Sequence, residues 1–186
     1  MSVEKHRVLK GVDEAAAKLN EKLSDEVAKT FTLAFEAGVP PKNALGINDS
    51  RIEELYAQGY RYYNTGRFGD ALNNFRMLTF FDPTQAKFVF GLAACLHMLK
   101  EYDKAVETYL LSSMMDPKNP IPHFHSSDCY LKMNDKPSAL IALRMAVECA
   151  QDKPEFQILK DRALLSIEGL RNEIVNDLKS EADKSL

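Results

Sequence analysis

Leu55-Tyr56-Ala57-Gln58-Gly59-Tyr60-Arg61-Tyr62-Tyr63-Asn64-Thr65-Gly66-Arg67-Phe68-Gly69-Asp70-Ala71 runs on to Phe75 and closes at Asp82-Pro83. The stretch reads as one helix–turn–helix unit. The turn is Asn64-Thr65-Gly66-Arg67, with Gly66 where a helix end commonly needs a positive φ. Gly59 and Ala71 are small enough to let two helices approach closely, while Leu55, Tyr62 and Phe75 fill the space beside them. Pro83 ends or redirects the second helix, because its ring clashes with the preceding turn and it has no N–H to donate. Ser50 followed by Glu53 reads as a capping box that opens the first helix.

Asp-Pro recurs at Asp116-Pro117, and the two prolines lie 34 residues apart. That spacing is the period of the tetratricopeptide repeat. A second repeat starts near Ala86 and gives Leu92, Ala93, Leu96, Ala105, Tyr109 and Pro117 at matching positions. A third starts near Pro120 and gives Tyr130, Ala139, Leu143 and Ala146. It departs at its end, where Gln151 stands in place of proline and Pro154 comes three residues later. It also puts His123, Ser126 and Ser127 where a regular repeat is more apolar. Three units in phase, over about residues 52–153, are about the minimum that buries a continuous core in such an array.

The flanks carry one helix each. Phe156, Leu159, Ala163, Ile167, Leu170, Ile174 and Leu178 form a one-sided apolar stripe over 155–180, as expected of a helix covering the open end of a repeat stack. Val12, Ala16, Leu19, Leu23, Val27, Phe31 and Ala34 share a face over 12–36, followed by the breaker Gly38-Val39-Pro40-Pro41. This N-terminal helix either folds back on the first repeat or pairs with a second copy of the chain. The expected fold is all-α: three tandem tetratricopeptide repeats, an N-terminal amphipathic helix and a C-terminal capping helix. The expected division is an arm and helix over 1–49, repeats over 50–154, and the cap and tail over 155–186.

Composition agrees with a packed domain. The chain has 186 residues, 45% hydrophobic and 27% charged, with a formal net charge of −3. Such a balance gives no reason to expect nucleic acid as a partner. Cys95, Cys129 and Cys149 are an odd set without a close pair, which argues against a disulfide framework or a zinc ribbon. Met1 to Lys10 holds no apolar run of signal-peptide length. No stretch approaches the roughly 20 apolar residues needed to cross a bilayer. A cytoplasmic protein without direct membrane insertion is expected.

The first helix of each repeat lines the inner face of the curved stack. Its inward positions are Glu53, Tyr56, Tyr60 and Tyr63, then Lys87, Phe90, Ala94 and His97, then Ile121, Phe124, Asp128 and Leu131. Tyr56, Tyr60 and Tyr63 lie opposite Leu55, Gly59 and Tyr62, so the first helix carries aromatics on both faces. A tyrosine suits a polypeptide groove because its ring supplies apolar area and its hydroxyl can bond a ligand backbone. The alternative use of these rings is packing against the N-terminal helix. The candidate groove residues are Tyr56, Tyr60, Tyr63, Phe90, His97 and Phe124.

Catalytic patterns are missing. The sequence has neither a glycine-rich phosphate loop nor a nucleophile elbow. His123 and His125 sit at i and i+2 of a helix and point to different faces, so they would not share a metal ion. His125-Ser126-Ser127-Asp128 holds the letters of a hydrolase triad, but helix neighbours cannot converge as a triad does. No enzyme activity, catalytic residue, cofactor or metal is expected.

Three stretches resemble one family closely. They are Leu55-Tyr56-Ala57 through Ala71; Phe90-Gly91-Leu92-Ala93-Ala94-Cys95 with Glu101-Tyr102-Asp103-Lys104-Ala105; and Phe124-His125 with Asp128-Cys129 and Asp152-Lys153-Pro154-Glu155-Phe156. Over about residues 20–172 the chain resembles the class II chaperones of bacterial type III secretion. The resemblance implies a chaperone that binds hydrophobic translocator proteins before export and keeps them soluble, apart and export-competent. It implies that an extended client segment lies in the concave groove, where Tyr56, Tyr60 and Tyr63 fall on the family's groove aromatics. Phe90, His97 and Phe124 are placed there mainly by repeat geometry. The N-terminal helix dimerises several family members, which makes a weak homodimer the expected assembly. The arm from Met1 to about Leu19 is longer than usual, and His97 stands where the family also carries a neutral polar residue. The competing function is a general repeat adaptor for another protein. An adaptor for acidic tails would want a basic clamp, whereas the inner face offers chiefly Lys87, alongside Glu53 and Asp128.

Overall fold

A computed structural model of the chain describes residues 38–184. The amphipathic stretch over 12–36 lies outside the described residues. The chain divides into two compact units between Asp49 and Ser50. The described part of the first holds one helical turn, α1 (Pro41–Ala44), and an ion pair between Lys42 Nζ and Asp49 Oδ1 at 2.7 Å.

The second unit is helical throughout, with no strand among the described residues. Three helix pairs follow in order: α2 (Asp49–Asn64) with α3 (Phe68–Phe81), α4 (Ala86–Met98) with α5 (Tyr102–Met115), and α6 (Ile121–Lys132) with α7 (Lys136–Ala150). A 3₁₀ turn (Pro154–Phe156) then leads into the long α8 (Gln157–Lys184). From α3 onward each helix packs on the next. The helix α2 begins at Asp49, so Ser50 sits inside its first turn and does not open it as the expected capping box would.

The repeat is written in the backbone as well as in the side chains. The first helix of each pair ends on a left-handed residue: Gly66 (φ 76°), Lys100 (φ 65°) and Asn134 (φ 61°), spaced 34 residues apart. In each case the left-handed residue donates its N–H three residues back, to Tyr63, His97 or Leu131. The next residue donates to a carbonyl five back, on Tyr62, Leu96 or Tyr130, so each turn is a Schellman cap. Only the first repeat uses glycine there.

Packing follows the same period. Ala71, Ala105 and Ala139 are fully buried where paired helices meet, and Phe75, Tyr109 and Leu143 fill the space one turn on. Gly59, Ala93 and Ser127 provide the small contacts on the opposing helices. The two serines of the third repeat are buried too, but hydrogen-bonded. The Ser126 and Ser127 hydroxyls donate to the carbonyls of Pro122 and Phe124 at 2.9 and 2.7 Å.

The irregular end of the third repeat has a backbone reason. Asp82 and Asp116 leave their helices with φ near −135°, and a proline follows each. Gln151 instead has φ +50°. A proline ring, fixed near −65°, cannot adopt that angle. The chain turns the other way, and Pro154 then opens the 3₁₀ turn that aims α8 back onto the stack. Ala163, Ile167 and Leu170 of α8 form one cluster with Ala139 and Leu143, covering the last repeat. The apolar stripe read for this helix is thus in place through Ile174, which is half-buried.

Candidate binding groove

The first helices α2, α4 and α6 set their inward residues around a cavity of about 460 Å³. Tyr56, Tyr60, Tyr63, Phe90 and His97 all line it. Phe124 does not. It lies in an adjoining depression of about 370 Å³ with Leu131, Leu143 and Arg162. The two depressions share His125 and Asp128, so they form one continuous groove.

The three tyrosines are not equivalent. Tyr56 is wedged between Phe75 and Phe88, with ring centres 6.0 and 5.7 Å away. Lys87 Nζ sits 4.8 Å over its other face while pairing with Glu53 at 2.6 Å. Tyr63 leans edge-on against Phe68 at 5.4 Å, and burial raises its pKa. Tyr60 is the open one, 55% exposed. Tyr56 and Tyr63 therefore shape the wall, and Tyr60 offers a ring to a ligand.

The floor is a chain of stacked rings. Phe90 lies 5.6 Å from Tyr109 and 5.7 Å from His125. His125 stacks nearly parallel on Tyr109, at 5.7 Å and 15°. His97 faces the same pair, and its Nε2 lies 3.0 Å from Asp128 Oδ2. Burial lowers the pKa of His125, and the neighbouring His97 lowers it further. Burial likewise raises the pKa of Tyr109. At neutral pH the floor therefore keeps a neutral imidazole and protonated phenols, which favours apolar side chains and backbone groups over bare charges.

Sequence reasoning missed His125, Tyr109, Phe75, Gly91 and Met98 as lining residues. Tyr109 and Phe75 were read only as core. Each is core and floor at once, because the groove is one ring deep. A Cβ on Gly91 would overlap the Phe75 ring, so glycine there is what lets that ring reach the groove. The signal was the glycine directly after an inward phenylalanine. His123 and His125 do point apart: His123 is buried beside a separate cavity of about 180 Å³ lined by Val106, Tyr130 and Met145. Among the described residues no set of three His, Cys, Asp or Glu is placed to hold a metal ion. Cys95 and Cys129 are buried, and burial pushes both thiols up to about 12.

The tetratricopeptide-repeat family model matches residues 52–84 and 86–119. Low calcium response locus protein H of Yersinia pseudotuberculosis is 32% identical over 125 residues, spanning 67% of this chain and 74% of that protein. The Yersinia enterocolitica type III secretion chaperone SycD, solved with a peptide of the translocator YopD, superposes with a TM-score of 0.65 at 31% identity, covering 68% of this chain and 97% of that one. PcrH of Pseudomonas aeruginosa, solved with the chaperone binding region of PopD, gives a TM-score of 0.67 at 30% identity, covering 69% and 96%. With the repeat period, the capped stack and the aromatic groove, these similarities establish that the chain belongs to the tetratricopeptide-repeat chaperones of type III secretion translocators.

Proposed function

We propose that this chain is a bacterial cytoplasmic chaperone. It holds an extended segment of a hydrophobic translocator in the groove between α2, α4 and α6, and so keeps the client soluble, apart from its partners and competent for export. The observation that carries this reading is the cavity itself. Five candidate residues from two repeats converge on one apolar, ring-floored space of about 460 Å³. SycD and PcrH, which share the fold and about 30% of their residues, were each solved with a translocator segment bound. Exposed apolar client segments aggregate, and a groove that anchors a few side chains hides them while the rest stays unfolded.

No described helix is long and apolar enough to cross a membrane. The Lys87–Glu53 pair speaks against the adaptor reading, because the lysine among the inward positions of α2, α4 and α6 is already paired, so those helices present no cluster of cations to clamp an acidic tail. The test is co-expression of the full chain with candidate translocators of the same bacterium. One of them is expected to move into the soluble fraction and co-purify. Its equal solubility without the chaperone, or with Tyr56, Tyr60 and Tyr63 all changed to Ala, would overturn the proposal.

The reading extends to assembly. A weak homodimer through residues 12–36 is proposed, and SycD has been solved as a dimer. Light scattering on the full chain and on its Leu19→Glu, Leu23→Glu variant decides it, since equal masses would remove that stretch from any dimer contact.

A further inference from the structure

The depression beside the tyrosine cavity contains a charge that the groove reading leaves unused. Its floor is apolar, made by Phe124, Leu131 and Leu143. Arg162, from the capping helix α8, holds its guanidinium 5.4 Å from the centre of the Phe124 ring. The acid that lines the same depression, Asp128, is already engaged by His97 at 3.0 Å. Among the described residues no carboxylate pairs with Arg162. The other end of the groove differs. There Lys87 also sits over a ring, that of Tyr56, but Glu53 neutralises it at 2.6 Å. The groove thus starts on a direct ion pair and ends on a cation that no described carboxylate contacts.

Resting on the peptide-holding reading, we infer that Arg162 is a specificity-determining residue: the depression takes an apolar client side chain whose neighbour is an aspartate or glutamate. The two depressions share His125 and Asp128, so one extended segment can cross both. A guanidinium presents a planar fork of donors that matches a carboxylate. Arg162 lies close to the Phe124 ring and is itself exposed, so it can reach a carboxylate next to a buried anchor. Arg162 also helps to hold His125 neutral, so the floor does not compete for the same acid. A cation without a contacting carboxylate at one end only sets both the register and the direction of the bound segment.

The test uses the full chain and a display library of random twelve-residue segments, selected in parallel on wild type and on Arg162→Glu. Segments from the wild-type selection are expected to carry Asp or Glu beside an apolar residue. The selected peptide and its acid-to-Lys version are then compared by fluorescence anisotropy. Wild type is expected to favour the acidic peptide at least tenfold, and Arg162→Glu to reverse the order. Arg162→Gln is expected to abolish the preference without changing the melting temperature. The same preference in all three proteins, or none in wild type, overturns the inference. Tyr60→Ala and Phe90→Ala separate this from the groove reading. If they weaken binding while the charge ratio ignores Arg162, only this inference falls. If they leave binding unchanged, or no segment is enriched, the groove reading falls with it.

Discussion

Replacing Tyr60 with alanine removes the ring that the groove leaves most open. A tyrosine carries about 200 Å² of accessible surface, and 55% of Tyr60 is exposed. A ligand lying on it can therefore cover about 110 Å², worth about 2.7 kcal/mol at about 25 cal/mol per Å². Area overstates affinity, because the alanine and its neighbours still meet the ligand and ordering costs remain. About 1.5–2.5 kcal/mol, or roughly a 10- to 70-fold weaker Kd, is the expected loss. The fold should barely notice, since truncating an exposed side chain changes stability by about 0.5 kcal/mol or less. Calorimetry with a translocator segment that binds wild type measures the first quantity, and urea unfolding the second. An affinity within twofold of wild type, with the fold intact, would refute the reasoning. Tyr56→Ala does not discriminate as cleanly, because Tyr56 also supports Phe75, Phe88 and Lys87.

Gly91→Ala places a methyl group inside the Phe75 ring, and such overpacking costs about 1–3 kcal/mol; a lower urea midpoint with weaker peptide binding is expected, and an unchanged midpoint would contradict the packing. Lys100→Gly relieves a left-handed residue that costs a side chain about 1–2 kcal/mol, partly offset by the entropy of glycine, so the chain should gain about 0.5–1 kcal/mol in the same assay. The reverse change at the equivalent turn, Gly66→Ala, should lose about 1 kcal/mol. Burial lowers the pKa of both His123 and His125, so the unfolded chain takes up those protons first, near pH 6.5. Their contribution to stability is present above about pH 6.5 and is lost as pH falls towards the folded values. Urea midpoints at pH 7.5 and 5.5 should differ in that direction, and by less in His125→Gln.

The fold was legible because three independent signals share the 34-residue period: the prolines that close the first two repeats, the small residues at helix contacts, and the large ones beside them. The inward aromatics were legible for the same reason, since the inner face follows from the phase. What the phase cannot supply is depth. The groove is one ring deep, so Tyr109 and Phe75 serve as both core and floor, and a reading that sorts residues into inner and core faces places them on one side only. His125 was missed because it follows an inward position by one residue and enters the groove only by stacking on Tyr109. Phe124 was grouped with the tyrosines, but it lines the adjoining depression of the groove, where α8 brings Arg162 over its ring, a contact between residues far apart in sequence. Gln151 looked like a degraded proline position, whereas its positive φ excludes proline and redirects the chain. Ser50 was misread as the cap by two residues, since the helix starts at Asp49, within the usual variation of a helix start.

The central claim is that an extended client segment lies against the inward rings of α2 and α4. Photocrosslinking tests it most directly, with p-benzoylphenylalanine placed singly at Tyr60, Phe90 and the exposed control Arg144, in full-length chain co-expressed with its translocator. Crosslinks from positions 60 and 90 to one contiguous client segment, and none to that segment from 144, are predicted. Crosslinks to the client from 144 alone would contradict the account.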